Sequence, residues 1–189
     1  MFSTNTDPTS NPYASLLNFT DKHTVELGAG CSVAARGLHD VVLTDIDLVM
    51  PALKRNKPVL KKTLKTAQPY WTKPNQIEAL NPPFNLVIAT DVIYIEETVG
   101  PLVSAMEALV GDRGAVLLRY QIRSPEAHRL FWEICGGVFD VEKVPWEHLH
   151  PEYVYEEADV FFERHEEADV FFERHEEADV NVLRKKKLL

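Results

Sequence analysis

The stretch HTVELGAGCSVAARGLHDVVLTDID, residues 23–47, constrains the fold more than any other part of the chain. It runs apolar strand, glycine turn, short helix, apolar strand, acid. Strands at Thr24–Leu27 and Val41–Thr44 joined through a helix call for a parallel sheet, since parallel strands need a crossover connection. Gly28, Ala29 and Gly30 occupy the strand-to-helix turn. Glycine there lets the backbone bend sharply and lets a ligand lie against bare main chain. Asp45 follows Gly30 by fifteen residues, at the end of the second strand. A carboxylate so placed can accept hydrogen bonds from both hydroxyls of a ribose. The pattern therefore points to a cofactor that contains a nucleoside. Its plain alternative is a tight strand-to-helix connection with Asp45 as a helix cap.

A dinucleotide fingerprint would place a third glycine where Val33 stands. Glu26, inside the strand just before the turn, would repel a pyrophosphate but suits a cofactor carrying positive charge. S-adenosylmethionine fits, with its adenosine, sulfonium and α-amino group and no phosphate. Both features argue against a nicotinamide-dependent oxidoreductase.

Further along, strands alternate with helices. Residues 59–67 are lysine-rich and read as an edge strand. Phe84–Ala89 is a nearly continuous apolar run, as in a central parallel strand. A helix is expected over Pro101–Val110, stopped by Gly111. A strand follows at Ala115–Tyr120, then a helix from Ser124-Pro125 to Gly136-Gly137, then a strand at Phe139–Val144. The pattern predicts an α/β fold with a doubly wound, mostly parallel sheet.

The C-terminus repeats itself. EEADVFFERH occurs at Glu156–His165 and Glu166–His175, and EEADV returns at Glu176–Val180 before NVLRKKKLL. Each copy carries one strand candidate, so the register of a final strand is under-specified. A tandem duplication with surplus copies in a tail explains this better than a functional repeat. The expected organisation is a loose arm over 1–20, a domain over 21–162 and a repeated tail over 163–189.

VELGAGC, VVLTDI, PYW and FNLVIATDVIY together resemble the family-16 class I methyltransferases, seven-strand enzymes that mostly methylate lysine side chains of proteins. The resemblance spans residues 24 to 162. It implies a Rossmann-like α/β fold whose last strand is antiparallel. It implies that Gly28, Ala29 and Gly30 line the methionine and ribose, that Asp45 holds the ribose hydroxyls, and that Trp71 packs near the adenine. Thr90 would close the carboxyl end of the fourth strand. Asp91 and Tyr94, in a D-x-x-Y pattern, would stand beside the transferred methyl, Asp91 to orient the lysine and accept its proton late, Tyr94 to shape the channel.

Four departures stand out: a Gly30–Asp45 segment about four residues shorter than the family's, close to one helical turn; Ser32 where a glycine is common; an N-terminal arm without the family's tryptophan-bearing segment; and the repeat. A non-catalytic interaction module and a small-molecule methyltransferase are therefore carried as alternatives.

The net charge of −9 is unlike the basic footprint of a nucleic-acid binder. No apolar run reaches the roughly 20 residues of a membrane span, and no secretory signal precedes the arm. Cys31 and Cys135 are too far apart to suggest a metal site. The His148/His150 pair lacks further ligands and reads as loop. The expected protein is a cytoplasmic or nuclear monomer that meets a protein substrate, such as a chaperone or another folded protein, transiently, without nucleic acid or membrane.

Overall fold

The computed structural model describes residues 11–18, 21–28, 40–51, 65–145, 148 and 179–186. Seven strands form one sheet: β1 (His23–Leu27), β2 (Asp40–Thr44), β3 (Lys65–Ala67), β4 (Phe84–Thr90), β5 (Val110–Tyr120), β6 (Phe139–Lys143) and β7 (Asp179–Lys185). Their order is β3-β2-β1-β4-β5-β7-β6. Pairings from β3 to β5 are parallel. β7 runs antiparallel to both neighbours. The expected α/β architecture with its antiparallel last strand is therefore present. Four described helices accompany the sheet: α1 (Ala14–Leu17), α2 (Pro74–Glu78), α3 (Glu96–Leu109) and α4 (Pro125–Val138).

The two sheet faces are visible in the strand alternation. Val116, Leu118 and Tyr120 of β5 join Val25, Leu27, Val87 and Ala89 in the larger core, under α2, α3 and α4. Ala115 and Leu117 point the other way, with Leu86, Ile88, Val180 and Val182, and meet Tyr13 and Leu16. The expected loose arm is therefore packed over residues 11–18. Asn11 Oδ1 accepts from Tyr13 N, and the Tyr13 hydroxyl donates to Glu142 at 2.7 Å. Burial and that carboxylate push the Tyr13 hydroxyl up to about 12.

Three helix and strand limits differ from expectation. α3 begins at Glu96, five residues before Pro101. Glu96 and Glu97 favour a helix start by complementing its dipole. The buried series Val99, Leu102, Val103, Met106 carries the helical phase through the proline. β5 begins at Val110, and Gly111 lies inside it. At Gly114 a Cβ would stand 2.7 Å from the Phe84 carbonyl oxygen, so only glycine lets β5 close on β4 at that irregular pairing. α4 starts at Ser124-Pro125 as expected, and Ser124 caps it, its Oγ accepting from Ala127 N at 3.1 Å. It runs on through Gly136 and Gly137 because β7 supplies its end: Lys186 donates from N to Val138 O and from Nζ to Gly136 O.

The last strand comes from the third copy of the repeat and continues to Lys185. The domain limit expected at residue 162 is corrected accordingly, since residues 179–185 lie between β5 and β6. Aligned copies put Glu163 and Glu173 where Leu183 stands. Leu183 is fully buried in the larger core, a place where a carboxylate would be costly. The edge strand expected over 59–67 is present at Lys65–Ala67, and the rest of that range lies outside the described residues. So do Ser32 and the shortened helix after the glycine turn. Cys135 is core, its thiol pushed by burial up to about 12, while Cys31 lies outside the described residues.

Candidate active site

Ligands of open α/β sheets bind beyond the carboxyl ends of the strands, where the strand order reverses. Here that point lies between β1 and β4. Gly28 ends β1 there with φ +78°. A Cβ on it would meet Val92 Cγ1 at 2.8 Å and the Thr90 carbonyl oxygen at 3.6 Å. The turn and the end of β4 are thus in contact, and only glycine suits both the conformation and the space. Ala29 and Gly30 lie outside the described residues.

Three carboxylates converge on this edge. Glu26 is fully buried in β1, between Leu43 of β2 and Ile88 of β4. Its carbonyl oxygen accepts from Thr44 Oγ1 at 2.8 Å, which ties the ends of β1 and β2 together. Asp45 directly follows β2, half-buried, with Oδ1 accepting from Ile46 N at 2.6 Å. Asp91 directly follows β4 and takes the left-handed conformation, φ +57°. Trp71 lies four residues beyond β3, on the same edge, partly buried against the larger core. Thr90 ends β4, half-buried. Tyr94 stands 46 % exposed in the turn before α3.

The group that holds Asp91 lies far from it in the chain. Its N–H donates to the Arg119 carbonyl oxygen at 2.8 Å. Its Oδ1 accepts from Gln121 N and from Arg123 Nε, each at 3.3 Å, and its Oδ2 accepts from Arg123 Nη2. The fork of Arg123 therefore grips both carboxylate oxygens, the geometry in which guanidinium–carboxylate pairs are strongest. Arg123 first, and the Gln121 amide with it, holds the Asp91 carboxyl below the usual carboxylate range against the opposing effect of partial burial. Thirty-two residues separate the partners in the chain. Only the pairing of β4 with β5 brings them together, and no motif spacing announces it.

No group of three or more metal-ligating side chains occurs among the described residues. His148 packs edge-on against Tyr13, and His150 lies outside the described residues.

Residues 6–135 match the family model described as lysine methyltransferase, methyltransferase family 16. The chain belongs to this family. It is similar to mouse protein N-lysine methyltransferase METTL21A, with 28 % identity over 142 residues, 70 % of this chain and 64 % of that one. The chain thus spans less than two thirds of that relative's length. Among solved structures it resembles a TehB-like SAM-dependent methyltransferase from Corynebacterium glutamicum, with TM-score 0.54 and 15 % identity over 87 % of this chain and 82 % of that one. A putative rRNA-methylase from Clostridium thermocellum is similar over 99 % of both chains, with TM-score 0.57 and 15 % identity. At such identities the likeness establishes the fold, that of class I methyltransferases. The lysine methyltransferase family expected from VELGAGC and DVIY is thereby established.

Proposed function

We propose that this chain binds S-adenosylmethionine beyond the carboxyl ends of β1, β2 and β4, and methylates a lysine side chain of a protein. The residues present suit that cofactor. Gly28 keeps the end of β1 free of side-chain bulk. Glu26, Asp45 and Asp91 make the edge acidic, favourable to a sulfonium and an α-amino group and unfavourable to a pyrophosphate. Burial of Glu26 strengthens its attraction for a cation. Asp45 would hold the ribose hydroxyls and Trp71 would cover the adenine. Gly28, Ala29 and Gly30 would line the methionine and ribose.

When bound, the cofactor supplies an electrophilic methyl group for in-line displacement by an amine. The chain's own task is to present that amine neutral and aligned, about 3–3.5 Å from the carbon it attacks. Asp91, ionised and gripped by Arg123, is a poor proton acceptor, so its role is to orient the incoming nitrogen. The proton then leaves to water past half-exposed Tyr94. This revises the assignment of Asp91 as a late base.

One observation carries the choice of a protein substrate. Among the described residues, six of the seven large exposed hydrophobics, Ile46, Leu48, Tyr70, Tyr94, Ile95 and Ile122, lie in the segments that follow β2, β3, β4 and β5; the seventh, Val141, lies in β6. Parallel strands place those segments on one edge, so the apolar rim surrounds Asp91. An open apolar rim suits a protein surface, whereas a small-molecule enzyme encloses its ligand. The proposal includes a monomer of the cytoplasm or nucleus, which sedimentation and microscopy of the tagged chain would test.

Calorimetric titration with S-adenosylhomocysteine is the first test. Micromolar binding by the wild type, weakened at least about tenfold in Asp45→Ala, is expected from loss of charge-assisted hydrogen bonds. New methyl-lysine in a lysate supplied with the enzyme and labelled cofactor should follow. A folded chain that binds no S-adenosylhomocysteine would leave only the interaction-module alternative.

A further inference from the structure

At the opposite end of the sheet, away from the glycine turn, lies an open groove of about 420 Å³. Arg113, Arg184, Lys185 and Lys186 line it, together with Asp112 and Asp140. It forms where the start of β5 meets the end of β7 and the start of β6. Along β5, six residues separate Gly114 from Tyr120, roughly 20 Å at a strand's rise. The groove is therefore separate from the methyl-transfer edge.

Its charge is the reverse of the molecule's. The chain carries −9 overall, yet four cations outnumber two acids here. None of the four takes part in a salt bridge among the described residues, although Asp112 and Asp140 line the same groove. Lys186 Nζ is committed to the Gly136 carbonyl oxygen, which satisfies a donor and leaves its charge in place. The field of Arg184 extends to Lys22, whose ammonium is held below its usual range by burial and then by that neighbouring cation. Arg113 and Arg184 are exposed and Lys185 is half-buried. The basic run that closes the chain is thus the end of β7, gathered with Arg113 from a distant part of the sequence.

We propose that this groove is a docking site for an acidic segment of a partner protein. Charge complementarity selects an anionic ligand. The concave shape suits an extended chain more than a flat lipid surface. Asp112 and Asp140 limit the charge density tolerated inside the groove, and the −9 of the whole molecule repels any anion in proportion to its charge, so a nucleic acid or an anionic bilayer is repelled more than a sparsely charged peptide. Widely spaced carboxylates of a peptide meet neither obstacle. A partner held here would be retained while its lysine, on another part of its surface, reaches the apolar rim.

The test is fluorescence anisotropy with a labelled twelve-residue peptide carrying glutamate at every third position among serines and glycines, at 50 and 300 mM salt. The wild type should bind, with affinity falling as salt rises. Arg113→Glu/Lys185→Glu should weaken binding at least about tenfold with its circular dichroism unchanged. Single Arg113→Gln and Lys185→Gln variants, each removing one charge, should cost about two- to fivefold and remain informative if the double reversal fails to fold. Equal binding by wild type and the variants would overturn the proposal, as would tighter binding of a twelve-nucleotide RNA or of phosphatidylserine vesicles than of the peptide. Because the readout needs neither cofactor nor activity, its failure is distinct from failure of the methyltransferase proposal.

Discussion

Asp91 shows how one residue can serve structure and chemistry together. Its left-handed backbone is costly for a residue with a side chain, about 1–3 kcal/mol, and persists because Arg119, Gln121 and Arg123 over-determine it. Arg123→Gln should lower kcat/KM about tenfold by loosening that geometry, with S-adenosylhomocysteine binding kept. The sign of the pH effect follows from the lowered Asp91 value. The pairing stabilises the folded chain above the ordinary carboxylate value of 3.8 and is lost as pH falls below it. Melting curves of wild type and Arg123→Gln should therefore differ at pH 7 and converge as pH falls through the lowered Asp91 value. Gly28 invites a second test. Gly28→Ala must accept a positive φ and a contact of 2.8 Å with Val92. It should lose about 1–3 kcal/mol in denaturant titration and most cofactor affinity. Gly28 was legible in the sequence, because its role is local. Arg123 was not, because its partner lies on another strand.

Among the elements, β7 tells most about what decides a strand. The three copies offer nearly the same β propensity, yet only the third has an apolar residue for the larger core at Leu183. Leu183→Glu, which recreates the other two copies at this position, should cost on the order of 4 kcal/mol or more, a large part of a typical domain's stability. Its neighbour gives the opposite sign. Asn181 is buried and its Nδ2 has no hydrogen-bond partner among the described residues. Asn181→Val should be neutral or stabilising by about 1 kcal/mol in the same denaturant titration. Helix limits follow a related logic. Pro101 and Gly136-Gly137 read as ends in the sequence, but α3 extends through the first on the strength of its buried face, and α4 through the second because Lys186 caps it.

On the scale of the whole molecule, the two ends of the sheet carry different surfaces. Acids and an apolar rim lie beyond the carboxyl ends of β1 to β5, and a basic cluster without a salt bridge among the described residues lies at the other end. Saturation with S-adenosylhomocysteine at 100 times its Kd should add about 2.7 kcal/mol to stability. A melting temperature that rises by several degrees in the wild type, and not in Asp45→Ala, would check it. What the sequence by itself determined was whatever depends on neighbours in the chain: the alternation of strand and helix, the glycine turn, the acid after β2, the helix start at Ser124-Pro125, and so the family and the fold. What only the tertiary structure decided was whatever depends on elements distant in the chain. The packing of residues 11–18 under the sheet, the choice of the third repeat copy for β7, the grip of Arg123 on Asp91 and the gathering of Arg113 with the C-terminal lysines all arise when strands remote in sequence become neighbours. Burial and charge then act across the sheet, at distances that no spacing along the chain encodes.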